Sequence, residues 1–284
     1  MLGLVLEGGA MRGMFTAGVL DVMMEENIRV DGAVGVSAGA VFGCNLKSGQ
    51  IGRVVRYNTR YCRNWHYASF RSLLLTGDLF GEKFCYHDIP ERLDPFDVEA
   101  YAASPMAFYC VCTDVETGEA VYHRCDRGDA EDLRWLRASA SMPLVSRVVE
   151  VDGRKLLDGG AADSIPLRAF EEMGYDRNIV ILTQPEGFVK EPNSLIPLMR
   201  VLLGKYPKLI EVMAHRHETY NAQTAYAAQR EKEGACLVIR PPHKLDVGQV
   251  ERDPQKLRAA YELGRETAKT QLERIRRFIG EEQV

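Results

Sequence analysis

The sequence has no long hydrophobic run. Its longest apolar stretch, residues 33–44, is short and rich in glycine, whereas a transmembrane helix needs about 18 or more consecutive apolar residues. Residues 1–6, which precede Glu7, are also too few for the apolar segment of a signal peptide, about 7–15 residues long. We therefore expect a cytoplasmic protein, with at most peripheral contact at the inner face of the membrane.

A strong excess of one charge is missing too. The 36 basic and 40 acidic residues give a net charge of −4, so no global field would attract nucleic acid. Seven cysteines occur without a CxxC pair, which favours reduced, buried thiols over a redox or zinc site. The sequence thus predicts no nucleic-acid partner, no metal ion and no cofactor, and it leaves the oligomeric state open.

Strand and helix patterns alternate at the start of the chain. Apolar runs at residues 2–6 and 31–36 are each followed by helical spacing, at residues 14–24 and 38–46. Strands joined through helices form parallel sheets covered on both faces, so this alternation predicts the α/β class. Further strand-like runs, which predict two hairpins and one more buried strand, lie at residues 107–113, 120–125, 147–151, 155–157 and 178–183.

Two segments depart from this alternation. Residues 64–84 are rich in aromatic and leucine side chains and are interpreted as an irregular insertion. Beyond Pro185 the pattern is mostly helical, apart from one apolar run at residues 237–240. We expect a core at residues 1–183 and a mostly helical part at 184–284 that packs on the same domain.

A single hydroxyl stands among small residues between Gly32 and Gly43. Ser37 is the centre of GVSAG, and glycines two positions before and after it permit a sharp turn from strand to helix. Such a turn presents Oγ at a helix N-terminus, which favours a developing oxyanion. The same small residues also suit simple packing of a strand on a helix, so both readings remain open at this point.

The first strand ends in the glycine-rich segment GGAMRG, Gly8–Gly13. Turns that follow parallel strands lie at one edge of the sheet, so we expect this loop beside Ser37. There its backbone amides can hold an oxyanion, with Arg12 adding positive charge. The segment fits neither GxGxxG nor GxxxxGK[ST], which argues against a dinucleotide or nucleotide turn.

A nucleophilic serine needs a base within hydrogen-bond reach. Asp158 ends an apolar run in KLLDGGAADSIPL, and partial burial would raise its pKa above the ordinary value of about 3.9 towards a useful range. Asp-Gly-Gly is equally compatible with a plain turn. A Ser-His-Asp esterase would instead require one of the late histidines, His215, His217 or His243.

The segments GGAMRG, GVSAG, ASASMP and LLDGGAADSIPL occur in this order between residues 8 and 167. Together they resemble the patatin-like phospholipase family, serine acyl hydrolases with a Ser-Asp dyad. The resemblance covers about residues 1–183 and implies a three-layer α/β/α fold with a mostly parallel central sheet and a helical C-terminal extension. It implies Ser37 as nucleophile and Asp158 as base. The implied oxyanion hole comprises Gly8, Gly9, Ala10, Met11, Arg12, Gly13 and Ala38.

Two positions depart from the family pattern. Ala10 stands where many relatives have glycine, and an alanine with positive φ there would add strain of about 1 kcal/mol. Asp163 or Ser164 stands where the family usually has asparagine, so a supporting hydrogen bond would differ. Neither change removes a reacting group.

The resemblance implies cleavage of fatty acyl esters through an acyl-enzyme, as in phospholipases A, lysophospholipases and carboxylesterases. A non-catalytic lipid- or acyl-binding protein on the same fold is the alternative. A long acyl chain needs an apolar trough or an interfacial lid, which the 64–84 insertion can supply. The residues expected to provide it are Trp65, Phe70, Leu74 and Phe80.

Overall fold

The computed structural model describes residues 1–280. The strands are β1 (Leu2–Leu6), β2 (Gly32–Val36), β3 (Ala107–Asp114), β4 (Ala120–Arg124), β5 (Val149–Val151), β6 (Arg154–Asp158), β7 (Arg177–Ile181) and β8 (Cys236–Ile239). The α-helices are α1 (Gly13–Glu25), α2 (Ala38–Lys47), α3 (Arg53–Tyr61), α4 (Phe70–Thr76), α5 (Val98–Ala103), α6 (Ala130–Ser139), α7 (Leu167–Glu172), α8 (Ile196–Leu202), α9 (Pro207–Lys232), α10 (Pro254–Thr270) and α11 (Leu272–Ile279).

All eight strands of the described residues join one sheet, in the order β5-β6-β3-β2-β1-β7-β8, with β4 also paired to β3. The pairs among β3, β2, β1, β7 and β8 are parallel. The pairs β3–β4, β3–β6 and β5–β6 are antiparallel. The mostly parallel sheet and both hairpins predicted from the sequence are therefore confirmed.

Helices cover both faces of the sheet. Leu4 and Leu6 point to one face, where they join a buried cluster with Phe15 of α1. Val5 points to the opposite face and packs in a second cluster with Phe170 of α7. This alternation along a single strand, with period two, produces the three layers. Among the helices of the described residues, none combines the length and apolar composition needed to cross a bilayer.

The segment at residues 64–84 is more regular than predicted. It contains α4, whose first turn is capped by the Ser69 hydroxyl, which accepts from the Ser72 amide at 2.9 Å. Gly77, with φ 81°, ends the helix in the left-handed conformation that glycine adopts without strain. The prediction of irregular structure is therefore wrong for residues 70–76, where a serine cap and a run of leucines favour a helix. A π-helical stretch, Phe84–Leu93, follows.

The C-terminal residues are integral to the sheet and its helical layers. The apolar run near residue 237 forms β8, which pairs in parallel with β7. Helix α10 crosses α1 at two glycines, where a Cβ on Gly18 would lie 2.0 Å from the Tyr261 carbonyl oxygen. A Cβ on Gly264 would lie 2.1 Å from the Phe15 carbonyl oxygen. The two backbones therefore approach too closely for any side chain at either position.

Replacing Gly264 by alanine tests this crossing. Alanine gains about 1 kcal/mol in helix propensity, but overpacking against a fixed backbone costs about 1–3 kcal/mol or more. We expect Gly264→Ala to lower the free energy of unfolding by about 2 kcal/mol in urea denaturation. Gly248→Ala is the control, since the nearest atom to its new Cβ lies at 3.7 Å. Equal stability of the two variants would contradict the close approach.

Candidate active site

One edge of β3 brings the ends of two other strands together. Val36, the last residue of β2, lies opposite Val111, and Asp158, the last residue of β6, lies opposite the next residue, Cys112. Strand β4 occupies one edge of β3 alongside residues that pair with β2 and residues that pair with β6. Strands β2 and β6 must therefore share the opposite edge of β3. Because β2 runs parallel to β3 and β6 antiparallel, their carboxyl ends meet. Ser37, which follows β2, is thereby placed beside Asp158.

Ser37 occupies a strained turn between β2 and α2. Its backbone has φ 54° and ψ −121°, a conformation that costs a non-glycine residue about 1–3 kcal/mol. Neighbouring glycines make room for it, since a Cβ on Gly35 would lie 2.5 Å from the Gly39 carbonyl oxygen. A Cβ on Gly39 would lie 2.5 Å from the Leu6 carbonyl oxygen. The spacing of GVSAG is therefore a steric requirement of this turn.

The small-residue segment ASASMP ties the serine and the aspartate to the sheet. The Ser37 amide donates to the Ser139 hydroxyl at 3.0 Å, and that hydroxyl donates to the Val111 carbonyl oxygen at 2.6 Å. The Asp158 amide donates to the Ser141 carbonyl oxygen at 2.8 Å. One short segment thus holds the backbone of both residues.

The Asp158 carboxyl is buried and hydrogen-bonded. Burial raises its pKa, while a hydrogen bond with the Ser37 side chain, the charge of Arg216 and the Gly160 amide lower it, with a net upward shift. The Gly160 amide donates to Oδ1 at 2.7 Å. A carboxylate with a raised pKa is a better proton acceptor near neutral pH than an exposed aspartate.

The glycine-rich loop packs directly on the Ser37 turn, as its position at the sheet edge predicted. A Cβ on Gly8 would lie 3.1 Å from Ser37 Cβ, and one on Gly13 would lie 3.0 Å from Ala38 Cβ. The intervening residues Ala10–Arg12 form a single 3₁₀ turn. Larger residues at either glycine would push the loop away from the serine.

The middle of this loop carries the departure from the family pattern. Ala10 has φ 47°, and a positive φ strains an alanine by about 1 kcal/mol. Gly9 has no room for a side chain, because a Cβ there would lie 2.6 Å from Thr183 Oγ1. Ala10, Met11 and Ala38 line the cavity into which Ser37 opens.

A buried carboxylate lies behind the loop, and sequence reasoning missed it. The Glu7 side chain accepts from the Thr183 amide at 2.5 Å and from the Tyr220 hydroxyl at 2.8 Å. Burial raises its pKa, against these hydrogen bonds and the charge of Arg12. The signal in the sequence was the position of Glu7, a charged residue that directly follows the apolar strand β1.

Helix α9 also reaches the site. The Arg216 Nε donates to the Gly160 carbonyl oxygen. Gln223 donates to Asp163 Oδ1 at 2.7 Å, and Tyr122 donates to the other oxygen at 2.7 Å. Asp163 therefore accepts two side-chain hydrogen bonds, while the Ser164 hydroxyl donates to the Gly160 carbonyl oxygen at 2.8 Å. These α9 residues were missed because an ordinary mixed-charge helix carries no motif.

An apolar cavity of about 900 Å³, counted with its open mouth, extends from Ser37. Its polar lining is sparse, and aromatic and aliphatic side chains dominate, as in sites for apolar ligands. The walls come mainly from α2, α3, the π-helical stretch and α6, and partly from the loops beside them. They include Phe42, Tyr57, Tyr67, Phe80, Ile89, Leu136 and Met142.

The four expected wall residues divide into two groups. Phe80 lines the cavity. Trp65, Phe70 and Leu74 are not among its lining residues, and the last two are 77% and 86% exposed on α4. Trp65 lies over the Arg71 guanidinium, with 4.2 Å between the guanidinium carbon and the ring centroid. Most of the cavity wall comes instead from α2, α3, the π-helical stretch and α6.

None of the six histidines, all within residues 1–280, lines the cavity at Ser37. Of the three late histidines, His215 and His217 lie near Glu218, at 3.2 and 3.8 Å, and His243 is exposed. This placement does not favour a Ser-His-Asp arrangement.

One group of possible metal ligands is present elsewhere, which the spacing did not suggest. Donor atoms of His123, Cys125 and Asp132 lie within 4.8 Å of one another. Asp132 Oδ2 already accepts from the Arg127 and Gly128 amides, at 2.8 and 2.6 Å. The His123 ring stacks on Trp135 with 4.0 Å between centroids. These contacts give Asp132 and His123 structural roles outside the Ser37 cavity.

Comparisons with known proteins match both parts of the chain. Residues 4–171 match the model of the patatin-like phospholipase family. Residues 206–280 match a domain of unknown function, which here includes Arg216, Tyr220 and Gln223.

Individual relatives are distant. The uncharacterized protein YjjU of Escherichia coli is 27% identical over 93% of this chain and 75% of its own length. The lysophospholipase nte1 of Aspergillus niger is 25% identical over 97% of this chain but only 18% of its own length. The crystal structure of VipD from Legionella pneumophila aligns with a TM-score of 0.48 and 10% identity, over 96% of this chain and 66% of that one.

The family model covers more than half of the chain, including the glycine loop, the Ser37 turn and the Asp158 strand end. The resemblance read from four short motifs is thereby confirmed. The chain belongs to the patatin-like phospholipase family.

Proposed function

We propose that this protein is a lipid acyl hydrolase that cleaves fatty acyl esters with Ser37 as nucleophile and Asp158 as base. The observation that carries the proposal is that the adjoining carboxyl ends of β2 and β6 place Ser37 beside the buried Asp158 at the mouth of an apolar cavity. Family membership supports lipid ester hydrolysis at the level of the family. The lysophospholipase relatives support the same class of substrate.

In the proposed first step, Ser37 Oγ attacks the ester carbonyl while its proton moves to Asp158. The negative oxygen of the tetrahedral intermediate is held by amides of Gly9, Ala10 and Met11, helped by Ala38 at the start of α2. Collapse breaks the bond to the alcohol, which leaves with the proton from Asp158. The acyl group remains on Ser37.

In the second step, Asp158 takes a proton from a water molecule that attacks the acyl-enzyme. Collapse of the second intermediate releases the fatty acid, and Ser37 recovers a proton from Asp158. The same carboxyl therefore acts as base and as acid in turn, which a raised pKa favours at neutral pH.

Contact with a lipid surface is part of the proposal. Phe70, Leu74 and Leu75 are 77%, 86% and 65% exposed on α4, which leads within a few residues to Phe80 at the cavity. Exposed apolar side chains that lie together are typical of membrane-contact sites. Arg71, between them in sequence, suits an anionic surface.

The dyad is tested by two substitutions. We expect Ser37→Ala and Asp158→Asn each to lower kcat/KM for a chromogenic acyl ester by at least about 10³-fold, as for members of other catalytic dyads and triads. A fluorophosphonate should label the unmodified protein and fail to label Ser37→Ala, as checked by mass spectrometry. The control is the variant with His215, His217 and His243 all replaced by alanine, which should retain activity. Turnover that survives in both dyad variants would contradict the assignment.

The ionised Asp158 carboxylate should also lower the free energy of unfolding at neutral pH. Its pKa is raised in the folded state, so the carboxyl favours folding while protonated, below the unfolded-state pKa of about 3.9. That contribution is lost as pH rises through the folded-state pKa. We therefore expect Asp158→Asn to raise Tm by a few degrees at pH 7–8, with a gain that shrinks towards pH 4. Asp152→Asn, in an exposed turn, is the control, and an unchanged or lowered Tm for Asp158→Asn would count against a costly buried charge.

The α4 surface is tested by the double substitution Phe70→Ser with Leu74→Ser. Each apolar side chain contributes about 1.5–3 kcal/mol when buried in lipid. We expect the ratio of the rate on phospholipid vesicles to the rate on a dispersed short-chain ester to fall at least about tenfold. Ile51→Ser is the control, because Ile51 is 45% exposed beyond the end of α2 farthest from Ser37. Equal ratios in all three proteins would rule out this contact.

A further inference from the structure

Three side chains that can bind a metal ion lie together where β4 ends and α6 begins. His123 belongs to β4, Cys125 directly follows that strand, and Asp132 is in the first turn of α6. One donor atom from each side chain lies within 4.8 Å of the other two. An imidazole nitrogen, a thiolate sulfur and a carboxylate oxygen are all ligands that zinc takes in proteins.

The sheet fixes the positions of the histidine and the cysteine. His123 lies opposite Cys110 of β3 in the antiparallel register. The pairing continues past the end of β4, because the Cys125 amide donates to the Phe108 carbonyl oxygen at 2.7 Å. The Tyr101 hydroxyl donates to the Cys125 carbonyl oxygen at 2.9 Å. Residues two apart along an extended strand point to the same face of the sheet, so the imidazole and the thiol lie on one side.

Helix α6 fixes the third ligand. The Asp129 side chain caps this helix and accepts from the Asp132 amide at 3.1 Å. Asp132 Oδ2 accepts from the Arg127 and Gly128 amides, at 2.8 and 2.6 Å, which holds the carboxylate in one orientation. The other oxygen, Oδ1, lies 3.9 Å from His123 Nε2, beyond hydrogen-bond distance. These two atoms are therefore held close together without a direct bond between them.

An ion fits between these atoms after a small movement. Zinc bonds of about 2.0–2.2 Å in tetrahedral geometry place a nitrogen and an oxygen ligand about 3.4 Å apart, so Nε2 and Oδ1 need to approach by about 0.5 Å. The His123 ring is stacked parallel on Trp135, with 3° between the ring planes, and can slide along it. The His123 side chain is 25% exposed and that of Asp132 is 5% exposed, so the histidine side is the route by which an ion enters.

The charges of the three ligands also suit a divalent cation. An Asp132 carboxylate and a Cys125 thiolate together balance the two positive charges of zinc, so that no net charge is buried. The Cys125 thiol donates to Cys110 Sγ at 3.7 Å, and an ion that binds the sulfur releases this proton to solvent. The Cys110 thiol can then donate to the bound thiolate, as outer partners of metal ligands commonly do.

We propose that His123, Cys125 and Asp132 form a zinc site, with a water molecule as the fourth ligand. Thiolate and imidazole ligands favour zinc over magnesium and calcium. The ion ties the end of β4 to the first turn of α6, which supplies Leu133 and Leu136 to the wall of the apolar cavity. This site goes beyond the proposed function and does not depend on the dyad. Cysteine spacing predicted no metal ion, because a mixed set of ligands from a strand and a helix forms no cysteine motif.

The first test uses cobalt(II), which replaces zinc and absorbs visible light. Titration of the reduced, chelator-treated protein with cobalt should give a thiolate-to-cobalt charge-transfer band, and one equivalent of zinc should abolish it. Cys125→Ser should remove the band, and His123→Gln should weaken cobalt binding at least about 100-fold, more than the typical loss of an outer partner. The controls are Cys236→Ser in β8 and His87→Gln, whose histidine side chain is 53% exposed. Both controls should keep the band and the affinity.

The second test measures stability. Zinc at a free concentration about 100 times Kd should raise Tm by about 5 °C relative to the same protein in chelator, because the ion binds the folded state alone. The shift should disappear in His123→Gln and persist in His87→Gln, and magnesium should produce none. Circular dichroism melting in chelator verifies that each variant folds. If Cys125→Ser fails to fold, the partly exposed His123 still decides the outcome.

Asp132→Asn tests the third ligand. The asparagine keeps an oxygen for the Arg127 and Gly128 amides and presents an NH₂ group in place of Oδ1. We expect zinc binding to weaken at least about tenfold. A cobalt spectrum without a thiolate band in the unmodified protein would overturn the site. So would a zinc-dependent Tm that is the same in the ligand variants as in the controls.

Discussion

The geometry of the site depends on how β3 shares one edge between two strands. Parallel β2 occupies the first part of that edge and antiparallel β6 the next, so their carboxyl ends face each other. The meeting point falls between Val111 and Cys112. A shift of register by one residue in either strand would turn Ser37 or Asp158 towards the opposite face, because side chains alternate along a strand. The sheet's hydrogen bonding therefore sets the separation of the two reacting groups.

Several unfavourable features are concentrated around this point. Ser37 and Ala10 have positive φ, and Asp158 and Glu7 are buried carboxyls. Each lowers stability on its own, and such features persist where the surrounding structure holds them. Here the support comes from buried clusters on both faces of the sheet. Strain and buried charge at one edge of a well-packed sheet are the pattern expected of a functional site.

The C-terminal third of the chain belongs to this arrangement. Strand β8 extends the sheet beyond β7, and α10 packs on α1 through glycines on both helices. Helix α9 brings Arg216 to the Gly160 carbonyl oxygen and Tyr220 to Glu7. The region that matches a domain of unknown function therefore contributes Arg216 next to Asp158 and Tyr220 to the buried Glu7 behind the glycine loop.

The sequence alone was sufficient for local features. Periodicity and glycine spacing predicted the α/β class, the turn at Ser37, the loop at Gly8–Gly13 and the strand end at Asp158, because each depends on neighbours in the chain. The capped helix at Phe70 was missed, although its signals were local. Only the tertiary structure decided which helices form the cavity and that Arg216 lies beside Asp158. Those contacts join residues far apart in the chain, and an ordinary charged helix carries no mark of the surface on which it will pack.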